Sequence, residues 1–508
     1  MMRLTWSLAL VAGWLVWASP AMAQGSSDVR PAYRATPGAI ARLLDPIVRG
    51  RGGEIGVAVY SVEDQAPLYL HNADWAVVPA SNMKLYTTAA ALDRLGPDFQ
   101  YTTSVYADGA LLADGTLVGD LVLVGRGDPT ISGRFYGDSI TYVFDRLAAE
   151  LRERGLRRVS GRLIGDASYF DDTRIALGWE SSNLLWWYGA RPSALSFNDN
   201  VVTVEVRPGG WIGAPASIAF IPYTDGIAVE NHVVTTRRRG GRSIGIRRSP
   251  AIGGYTMSGR ISISSGPLRY VVAVEDPASY TLSVFRDRLL RAGIEVEDEG
   301  SVMYEWNRRP LRAPKLLASH TSPRMIEIVR VINKHSQNFF AEQVLKTLGA
   351  MFEDGGAFDE GAEVVRDMLE DFDLPLQGLR IFDGSGLSRR NTVTAELTAE
   401  LLVAMRGHPQ FDAYYESLLI AGVDGDTRRL DSPAAQGNVH SKTGTLRSVS
   451  ALSGYVTTGD GELLAFSVIS NGVPRGKWGA VTIEDAIAES LAEYSVWRPP
   501  LLQGSAGR

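Results

Sequence analysis

Apolar residues recur along this chain with two periods, and each period predicts a different element. A spacing of three to four residues in PGAIARLLDPIVRG predicts a helix, whereas alternation in EIGVAVYSVED and APLYLHNADW predicts two strands able to form a hairpin. The next apolar segment, VVPASNMKLYTTAAALDRLG, predicts a helix that begins close to Ser81. A short helix, a hairpin and a second helix are therefore expected before the middle of the chain.

The middle of the chain contains two stretches with the same order of elements. Each has a strand, an Asp-Pro turn, an amphipathic helix and a further strand after glycine, and they begin at LVLVGRGDPT and YVVAVEDPAS. We predict that they are two halves of one small α/β unit. Between them, residues 169–269 carry short alternating runs broken by glycine and proline, which predict a mostly β subdomain inserted into that unit.

The last third of the chain returns to helices and then to strands. PRMIEIVRVINKH and NFFAEQVLKTLGAMF have helical spacing, while GNVHSKTGTLRSVSALSGYV and ELLAFSVISNG are typical of antiparallel strands. The predicted fold class is multi-domain α/β, in which the beginning and end of the chain form one outer domain split by the middle. The predicted ranges are 24–98 with 308–498 for the outer domain, 99–168 with 270–307 for an inserted α/β domain, 169–269 for the nested β-rich subdomain and 499–508 for a tail.

The N-terminus and the cysteine count add a location and exclude several kinds of chemistry. Residues 1–23 combine Arg3, an apolar run and a small-residue end at Ala21 and Ala23, which predicts a cleavable secretory signal and favours a soluble periplasmic protein. The apolar run is shorter than the ~20 residues of a membrane span. The 508 residues include no cysteine, which excludes disulfides, cysteine nucleophiles and cysteine-ligated metals.

The charge pattern gives little reason to expect a nucleic acid. The net charge is −6, and the basic residues show no stripe with aromatic interleaving. One local cluster is interpreted as a solvated loop or strand edge, with an anionic surface partner as the alternative. It consists of Arg237, Arg238, Arg239, Arg242, Arg247 and Arg248.

A serine in this chain can act as a nucleophile only if a base takes its proton. The six histidines show neither metal-ligand spacing nor a His-Glu-x-x-His motif, and only His335 and His440 stay open because they flank other motifs. Lysine can replace histidine when burial or a neighbouring cation lowers its pKa. Only six of the 51 basic residues are lysine, and Lys84 follows Ser81 by three positions. That spacing places both on one helical face, although a serine at a helix start is also a common N-cap.

Two further motifs follow the serine–lysine pair. Lys442, Thr443 and Gly444 form the one Lys-Thr-Gly of the chain. Ser-x-Asn occurs three times, but only Ser336 to Asn338 lies in a short polar break between two helices, where both side chains can point into a cleft. The segment DGSGLSRRN is interpreted as a turn lining that cleft rather than as a second nucleophile.

In this order, SNMK, SQN and KTG resemble the active-site signature of the penicillin-recognising serine enzymes. Ser81 and Ser336 lie 255 positions apart, which resembles the class C low-molecular-mass penicillin-binding proteins, the D-alanyl-D-alanine carboxypeptidase/endopeptidase family. The resemblance extends over nearly the whole mature chain, through GDLVLVGRGDPT, SALSFNDN, KHSQNFFAEQVLKTLG, DGSGLSRRN, AGVDGDTRR and HSKTGTLRSVSALSGYV. It implies that the outer domain is a penicillin-binding/β-lactamase-like transpeptidase domain, an antiparallel sheet flanked by helices.

The resemblance also implies a role for each motif residue. Ser81 would attack the carbonyl between the last two D-amino acids of a peptidoglycan stem peptide, or a D-amino cross-link, with Lys84 as the base and Ser336 as the proton relay to the leaving amine. Water would then hydrolyse the acyl-enzyme, without metal or cofactor, and β-lactam antibiotics would be covalent inhibitors. The implied substrate-binding residues are Asn338, Lys442, Thr443, Gly444 and Thr445, and the implied oxyanion hole is the backbone N–H groups of Ser81 and Thr445.

Two other functions fit part of the pattern. A serine β-lactamase would share the acylation but deacylate fast, and the separation of 255 positions argues against it. A non-catalytic wall-binding protein could keep the fold, but the intact motifs argue against that alternative. The motifs leave open the balance of carboxypeptidase and endopeptidase activity, the role of the inserted domains and the arginine cluster, the oligomeric state, and periplasm versus secretion.

Overall fold

The computed structural model describes residues 34–237, 243–304, 314–425, 429–474 and 476–496. The predicted signal over residues 1–23, the predicted tail over residues 499–508, and Arg238, Arg239 and Arg242 of the arginine cluster lie outside these ranges. Within the ranges, no helix is both long enough and apolar enough to cross a membrane.

The described residues form ten α-helices. The first begins with Pro37 after the N-cap Thr36, whose hydroxyl accepts a hydrogen bond from the helix. It buries Ile40, Leu44 and Val48, at intervals of four, on one side. The helices are α1 Pro37–Val48, α2 Met83–Ala90, α3 Tyr142–Glu153, α4 Pro277–Arg291, α5 Met325–Lys334, α6 Asn338–Phe352, α7 Phe358–Asp371, α8 Ala395–Gly407, α9 Phe411–Ser417 and α10 Gly476–Glu493.

The described strands number nineteen and belong to four sheets. They are β1 Glu54–Ser61, β2 Ala66–His71, β3 Thr102–Leu111, β4 Thr116–Val124, β5 Arg158–Val159, β6 Leu163–Asp166, β7 Val201–Arg207, β8 Ser217–Ile221, β9 Ala228–Thr236, β10 Ser243–Ser249, β11 Gly254–Ser262, β12 Leu268–Ala273, β13 Glu295–Val296, β14 Ser301–Met303, β15 Pro314–Thr321, β16 Leu419–Ile420, β17 His440–Leu446, β18 Val449–Thr457 and β19 Leu463–Asn471.

The first and last parts of the chain build one six-stranded antiparallel sheet in the order β16-β17-β18-β19-β1-β2. β1 and β2 form the predicted hairpin, and β1 also pairs with β19. Along β1, Val57 and Val59 face a core shared with α1 and α10, whereas Ala58 and Tyr60 face a core shared with α8. Because helices cover both faces, seven of the eight residues of β1 are buried. The predicted antiparallel sheet flanked by helices is confirmed.

The middle of the chain builds a second sheet of seven strands. Five of them follow the order β13-β5-β4-β3-β15, while β6 pairs with β4 and β14 pairs with β6. The last strands of the two repeated stretches lie side by side in this sheet, because β13 pairs parallel with β5 and β14 pairs parallel with β6. Their first strands lie in different sheets: β4 is central in this sheet, whereas β12 pairs with β7 in another sheet. The prediction of two matching halves is therefore correct for their ends and wrong for their first strands.

β15 changes one predicted boundary. It lies in the range predicted for the outer domain, but it pairs antiparallel with β3 along its length, from Pro314↔Asp108 to Thr321↔Thr102. The inserted sheet therefore extends to residue 321. Alternation in a sequence identifies a strand without identifying its partner, and the partner here is more than 200 positions away. Apart from the boundary predicted at residue 269, the other domain boundaries stay predictions.

The nested region consists of two three-stranded sheets, in the orders β10-β11-β9 and β12-β7-β8. β12 crosses the boundary predicted at residue 269, because its pairing with β7 starts at Leu268↔Val206. Residues 169–200 form turns and short 3₁₀ segments rather than strands. Several of these residues contact the site described next.

Candidate active site

Ser81 lies in a tight turn immediately before α2. A 3₁₀ segment covers Ala80–Asn82, and the α-helix begins at the next residue, Met83. Asn82 is the residue that precedes the α-helix, so Ser81 is not its N-cap. Ala80 has a φ of 47°, in the left-handed region that residues with a side chain rarely occupy. The strained turn bends the backbone just before Ser81, whose hydroxyl is directed at Lys84.

The Lys84 amine is fully buried and surrounded by oxygen atoms. Its Nζ lies 3.0 Å from Ser81 Oγ, 2.7 Å from Asn338 Oδ1 and 2.6 Å from the backbone oxygen of Ser385. Burial lowers the pKa of Lys84 to about 7, and the negative charges of Glu342 and Asp383 oppose this decrease. Near neutral pH a large fraction of the amine is therefore unprotonated and able to accept a proton.

Ser336 and Asn338 lie where α5 ends and α6 begins. Ser336 has a φ of 51°, and Asn338 is the first residue of α6. The Asn338 amide nitrogen donates to the backbone oxygen of Tyr188 at 2.8 Å, while its Oδ1 accepts from Lys84. This one side chain therefore connects the inserted region to the Ser81–Lys84 pair.

Lys442 reaches the same site from β17. Its Nζ lies 3.0 Å from Ser336 Oγ and 2.9 Å from the backbone oxygen of Thr443. The side chain is fully buried, and burial together with the charge of Lys84 holds the pKa of Lys442 well below its usual value. The site thus contains two buried lysines, each in contact with a different serine.

β17 passes close to the Ser81 turn at Gly444. A Cβ at this position would lie 2.9 Å from the backbone oxygen of Pro79 and 3.1 Å from the backbone nitrogen of Ser81. Only glycine allows two backbones to approach to this distance. The close approach brings the next residue, Thr445, to the wall of the same cleft as Ser81.

The predicted site residues open onto a cleft of about 770 Å³. Ser81, Ser336, Asn338 and Thr445 line it, and Lys84 and Lys442 are buried beneath the surface. Apart from Gly386 and Leu387 of the segment DGSGLSRRN, the sequence motifs did not identify the rest of the wall. It consists of Asn183, Trp187, Tyr188, Gly386, Leu387, Leu446, Arg447, Ser448 and Gly476.

The segment DGSGLSRRN forms a turn that lines this cleft, as its composition predicts. Gly386 has a φ of 82°, and a Cβ there would lie 1.8 Å from the backbone oxygen of Ala80. The buried Asp383 carboxylate holds the turn by accepting from the backbone N–H groups of Gly386 and Ser388. It also accepts from Trp179 Nε1 at 2.7 Å, which connects the turn to the region between the sheets.

Glu342 is a charged residue of the site that the motifs did not identify. It is fully buried on α6, and its two carboxylate oxygens accept from the backbone N–H groups of Gly384 and Ser385, at 2.7 and 3.0 Å. Burial and the charge of Asp383 raise the pKa of Glu342, whereas the two backbone N–H donors and the charge of Lys84 oppose this increase and favour the carboxylate form. The sequence could have pointed to Glu342 through its position four residues after Asn338, because that spacing places both side chains on one helical face.

The two histidines that flank the motifs have other environments. His335 is exposed at the end of α5, and His440 stacks on the ring of Tyr415 with 3.9 Å between centroids. Burial lowers the pKa of His440. In the described ranges, no group of three or more His, Cys, Asp or Glu side chains is arranged to hold a metal ion.

Known proteins are similar to this chain in sequence along most of its length. Residues 40–494 match the D-Ala-D-Ala carboxypeptidase 3 (S13) family. A D-alanyl-D-alanine carboxypeptidase of Actinomadura sp. (strain R39) is 34% identical over 501 residues, which cover 96% of this chain and 89% of that relative.

Solved structures have the same fold. The crystal structure of penicillin binding protein 4 (dacB) from Haemophilus influenzae matches with a TM-score of 0.75 and 24% identity, over 90% of this chain and 99% of that chain. A structure of that protein complexed with a novel β-lactam matches with a TM-score of 0.71 and 23% identity, over the same shares of both chains, 90% and 99%.

Proposed function

The chain belongs to the D-Ala-D-Ala carboxypeptidase 3 (S13) family and is a serine D-Ala-D-Ala carboxypeptidase, and on this premise we propose that Ser81 is its nucleophile and Lys84 its base. The proposal rests on the environment of the Lys84 amine. The amine is fully buried and lies 3.0 Å from Ser81 Oγ, and its pKa is lowered to about 7. A serine hydroxyl gives its proton efficiently only to a base that is itself unprotonated.

The hydrogen bonds around Lys84 favour this direction of proton transfer. A neutral amine has two N–H donors and one lone pair. Asn338 Oδ1 and the backbone oxygen of Ser385 can only accept, so each takes one N–H. The lone pair is then left for Ser81, whose O–H donates to it.

In the proposed acylation, Ser81 Oγ attacks the carbonyl carbon of the penultimate D-alanine while its proton passes to Lys84 Nζ. The carbonyl π electrons move onto oxygen, where we assign the N–H groups of Ser81 and Thr445 as the oxyanion hole. Support for this assignment is the close approach of Gly444 to the Ser81 nitrogen. A donor of this kind contributes about 2.7 to 4 kcal/mol in comparable sites.

The intermediate then collapses as the C–N bond breaks. We assign the proton of the leaving amine to the Ser336 hydroxyl, because Lys442 Nζ lies 3.0 Å from it and can replace that proton. Transfer of the proton held by Lys84 to Lys442 then returns both lysines to their starting states and leaves Lys84 unprotonated. Water attacks the ester carbonyl while Lys84 accepts its proton, and Lys84 returns that proton to Ser81 Oγ as the bond between Oγ and the acyl carbon breaks.

The edge of the six-stranded sheet supports the proposed binding of an extended peptide. β16 pairs with β17 only at Ser441 and His440, and β17 continues beside the cleft to Leu446. An exposed edge of this kind can add a substrate strand through backbone hydrogen bonds. We assign Asn338, Lys442, Thr443, Gly444 and Thr445 to substrate binding. The two threonine hydroxyls would face the terminal carboxylate, and its negative charge would favour the protonated form of Lys442 once the substrate is bound.

The proposed substrates are peptidoglycan stem peptides and D-amino cross-links, which present the same type of bond to Ser81. Penicillins are expected to acylate Ser81, since the β-lactam carbonyl takes the place of the peptide carbonyl. We also propose export to the periplasm after cleavage behind Ala23, on the pattern of residues 1–23.

The test combines labelled penicillin with purified muropeptides, both cross-linked and uncross-linked. Wild-type protein and Ser160→Ala, a serine exposed on the inserted domain, should take one label per chain and release D-alanine, whereas Ser81→Ala should do neither. Mass analysis for a lost D-alanine or a lost cross-link gives the balance of the two activities. Labelling of Ser81→Ala at the wild-type rate would exclude Ser81 as the nucleophile, and rapid sustained penicillin hydrolysis would favour a β-lactamase.

A further inference from the structure

The turn that receives one N–H of Lys84 is itself held by a buried carboxylate. The Ser385 carbonyl accepts from Lys84 Nζ at 2.6 Å, while the Ser385 N–H and the neighbouring Gly384 N–H donate to Glu342. The two carboxylate oxygens divide these donors, one each, and Glu342 is 0% exposed. A carboxylate that is bound at both oxygens by backbone N–H groups keeps those peptide planes in one orientation.

We propose that Glu342 is a positioning residue for the reaction: its carboxylate fixes the turn at Gly384 and Ser385 so that the Ser385 carbonyl takes one N–H of Lys84, which directs the lone pair of Lys84 at Ser81. The inference rests on the proposed roles of Ser81 and Lys84. This role adds Glu342, which lies outside the three motifs, to the residues of the site. It also gives a function to the Ser385 carbonyl that contacts Lys84.

α6 presents this arrangement from a single helical face. Asn338 and Glu342 are four residues apart, so both side chains project toward Lys84 from successive turns. Asn338 binds one N–H of the amine directly, and Glu342 controls the acceptor of the other N–H through the turn. A single rigid helix therefore sets both acceptors of the Lys84 amine.

Charge gives Glu342 a second effect on the same amine. The charged groups around Lys84 are Glu342 on α6, Asp383 in the turn and Lys442 on β17, and Lys346 on α6 also faces Glu342. The negative charge of Glu342 favours the protonated form of Lys84, in opposition to burial. Removal of that charge should therefore make Lys84 a weaker base.

The test is the rate of labelled-penicillin acylation as a function of pH for wild type, Glu342→Gln and a matched control. A glutamine offers one acceptor oxygen and places an NH₂ against the other backbone N–H, so the turn should move. Acylation should fall at least about tenfold at its alkaline maximum, and the midpoint of its acid limb should move to lower pH by about one unit.

The control is Glu462→Gln, the same substitution at a buried glutamate that also binds two donors. Glu462 is 1% exposed and accepts from the backbone N–H of Ala35 and from Ser61 Oγ, away from the cleft. It should leave the rate and the pH midpoint at wild-type values. A Glu342→Gln protein with the wild-type midpoint and a rate equal to that of the control would overturn the proposal.

Glu342→Asp is a second test of the positioning role, and it can be used if the Glu342→Gln protein does not fold. The shorter side chain keeps the charge but moves the carboxylate away from the turn, so the pH midpoint should stay at the wild-type value while the rate falls at least about fivefold. A wild-type rate for Glu342→Asp would also overturn the proposal. Failure of the wild-type protein to label at Ser81 would instead refute the proposed function, so the two failures are distinguishable.

Discussion

The close approach of β17 to the nucleophile turn predicts a large kinetic effect from one methyl group. Gly444→Ala adds a Cβ 2.9 Å from the backbone oxygen of Pro79, 3.1 Å from the backbone nitrogen of Ser81 and 3.2 Å from the Cβ of Ala80. All three neighbours are backbone or Cβ atoms, which cannot rotate away. The clash should therefore be relieved by moving β17 away from Ser81 by a few tenths of an ångström.

The size of the effect follows from the cost of overpacking. Inserting one methyl group into a packed region costs about 1 to 3 kcal/mol. If that displacement falls on the Ser81 and Thr445 N–H groups, acylation should slow by about 5- to 150-fold, at about 1.36 kcal/mol per factor of ten. Stability should fall by no more than the same 1 to 3 kcal/mol, about the effect of an ordinary core substitution.

The assay measures the acylation rate with labelled penicillin and, on the same samples, the midpoint of thermal unfolding. The matched control is Gly245→Ala, a glycine on β10 whose new Cβ would have no neighbour closer than 3.6 Å. The control should keep the wild-type rate and unfold at the same temperature or slightly higher. Acylation of Gly444→Ala at the wild-type rate would refute the inferred placement of β17 against the nucleophile.

Three further predictions follow from the buried groups of the site. Lys84 must be unprotonated to accept the Ser81 proton, so wild-type acylation should decrease on the acidic side of about pH 7, and a flat pH profile across that value would contradict the assignment of Lys84 as base. Lys442→Met removes a buried amine and should lower acylation at least about tenfold without lowering the thermal midpoint, because burial disfavours the charge of Lys442; a marked loss of stability would show that this lysine has mainly a structural role. Trp179→Phe removes the N–H that donates to Asp383 at 2.7 Å and should destabilise the fold by about 1.5 to 3 kcal/mol, whereas Trp211→Phe, at a side chain 69% exposed, should change the unfolding midpoint little.

The local elements of the fold could be predicted because their causes are local. The α1 helix has its N-cap, its first-turn proline and its buried stripe within residues 36–48, and the β1–β2 hairpin joins strands that are neighbours in the chain. The pairings of β15 with β3 and of β12 with β7 could not be predicted in the same way. Alternation specifies which face of a strand is buried, and it carries no information on which distant strand lies beside it.

For the candidate site, too, some features could be predicted from the sequence and others depended on the tertiary structure. Lysine scarcity and the order of SNMK, SQN and KTG were sufficient to select Ser81, Lys84, Ser336, Asn338 and Lys442 as candidates from the sequence alone. Only the tertiary structure shows how Lys84 can act as a base. Its pKa is lowered by burial, and that burial requires α6, the turn at Asp383 and β17 together. The tertiary structure also decided the roles of Glu342 and of the Ser385 carbonyl, since their partners are backbone groups, which every residue carries and no motif can distinguish.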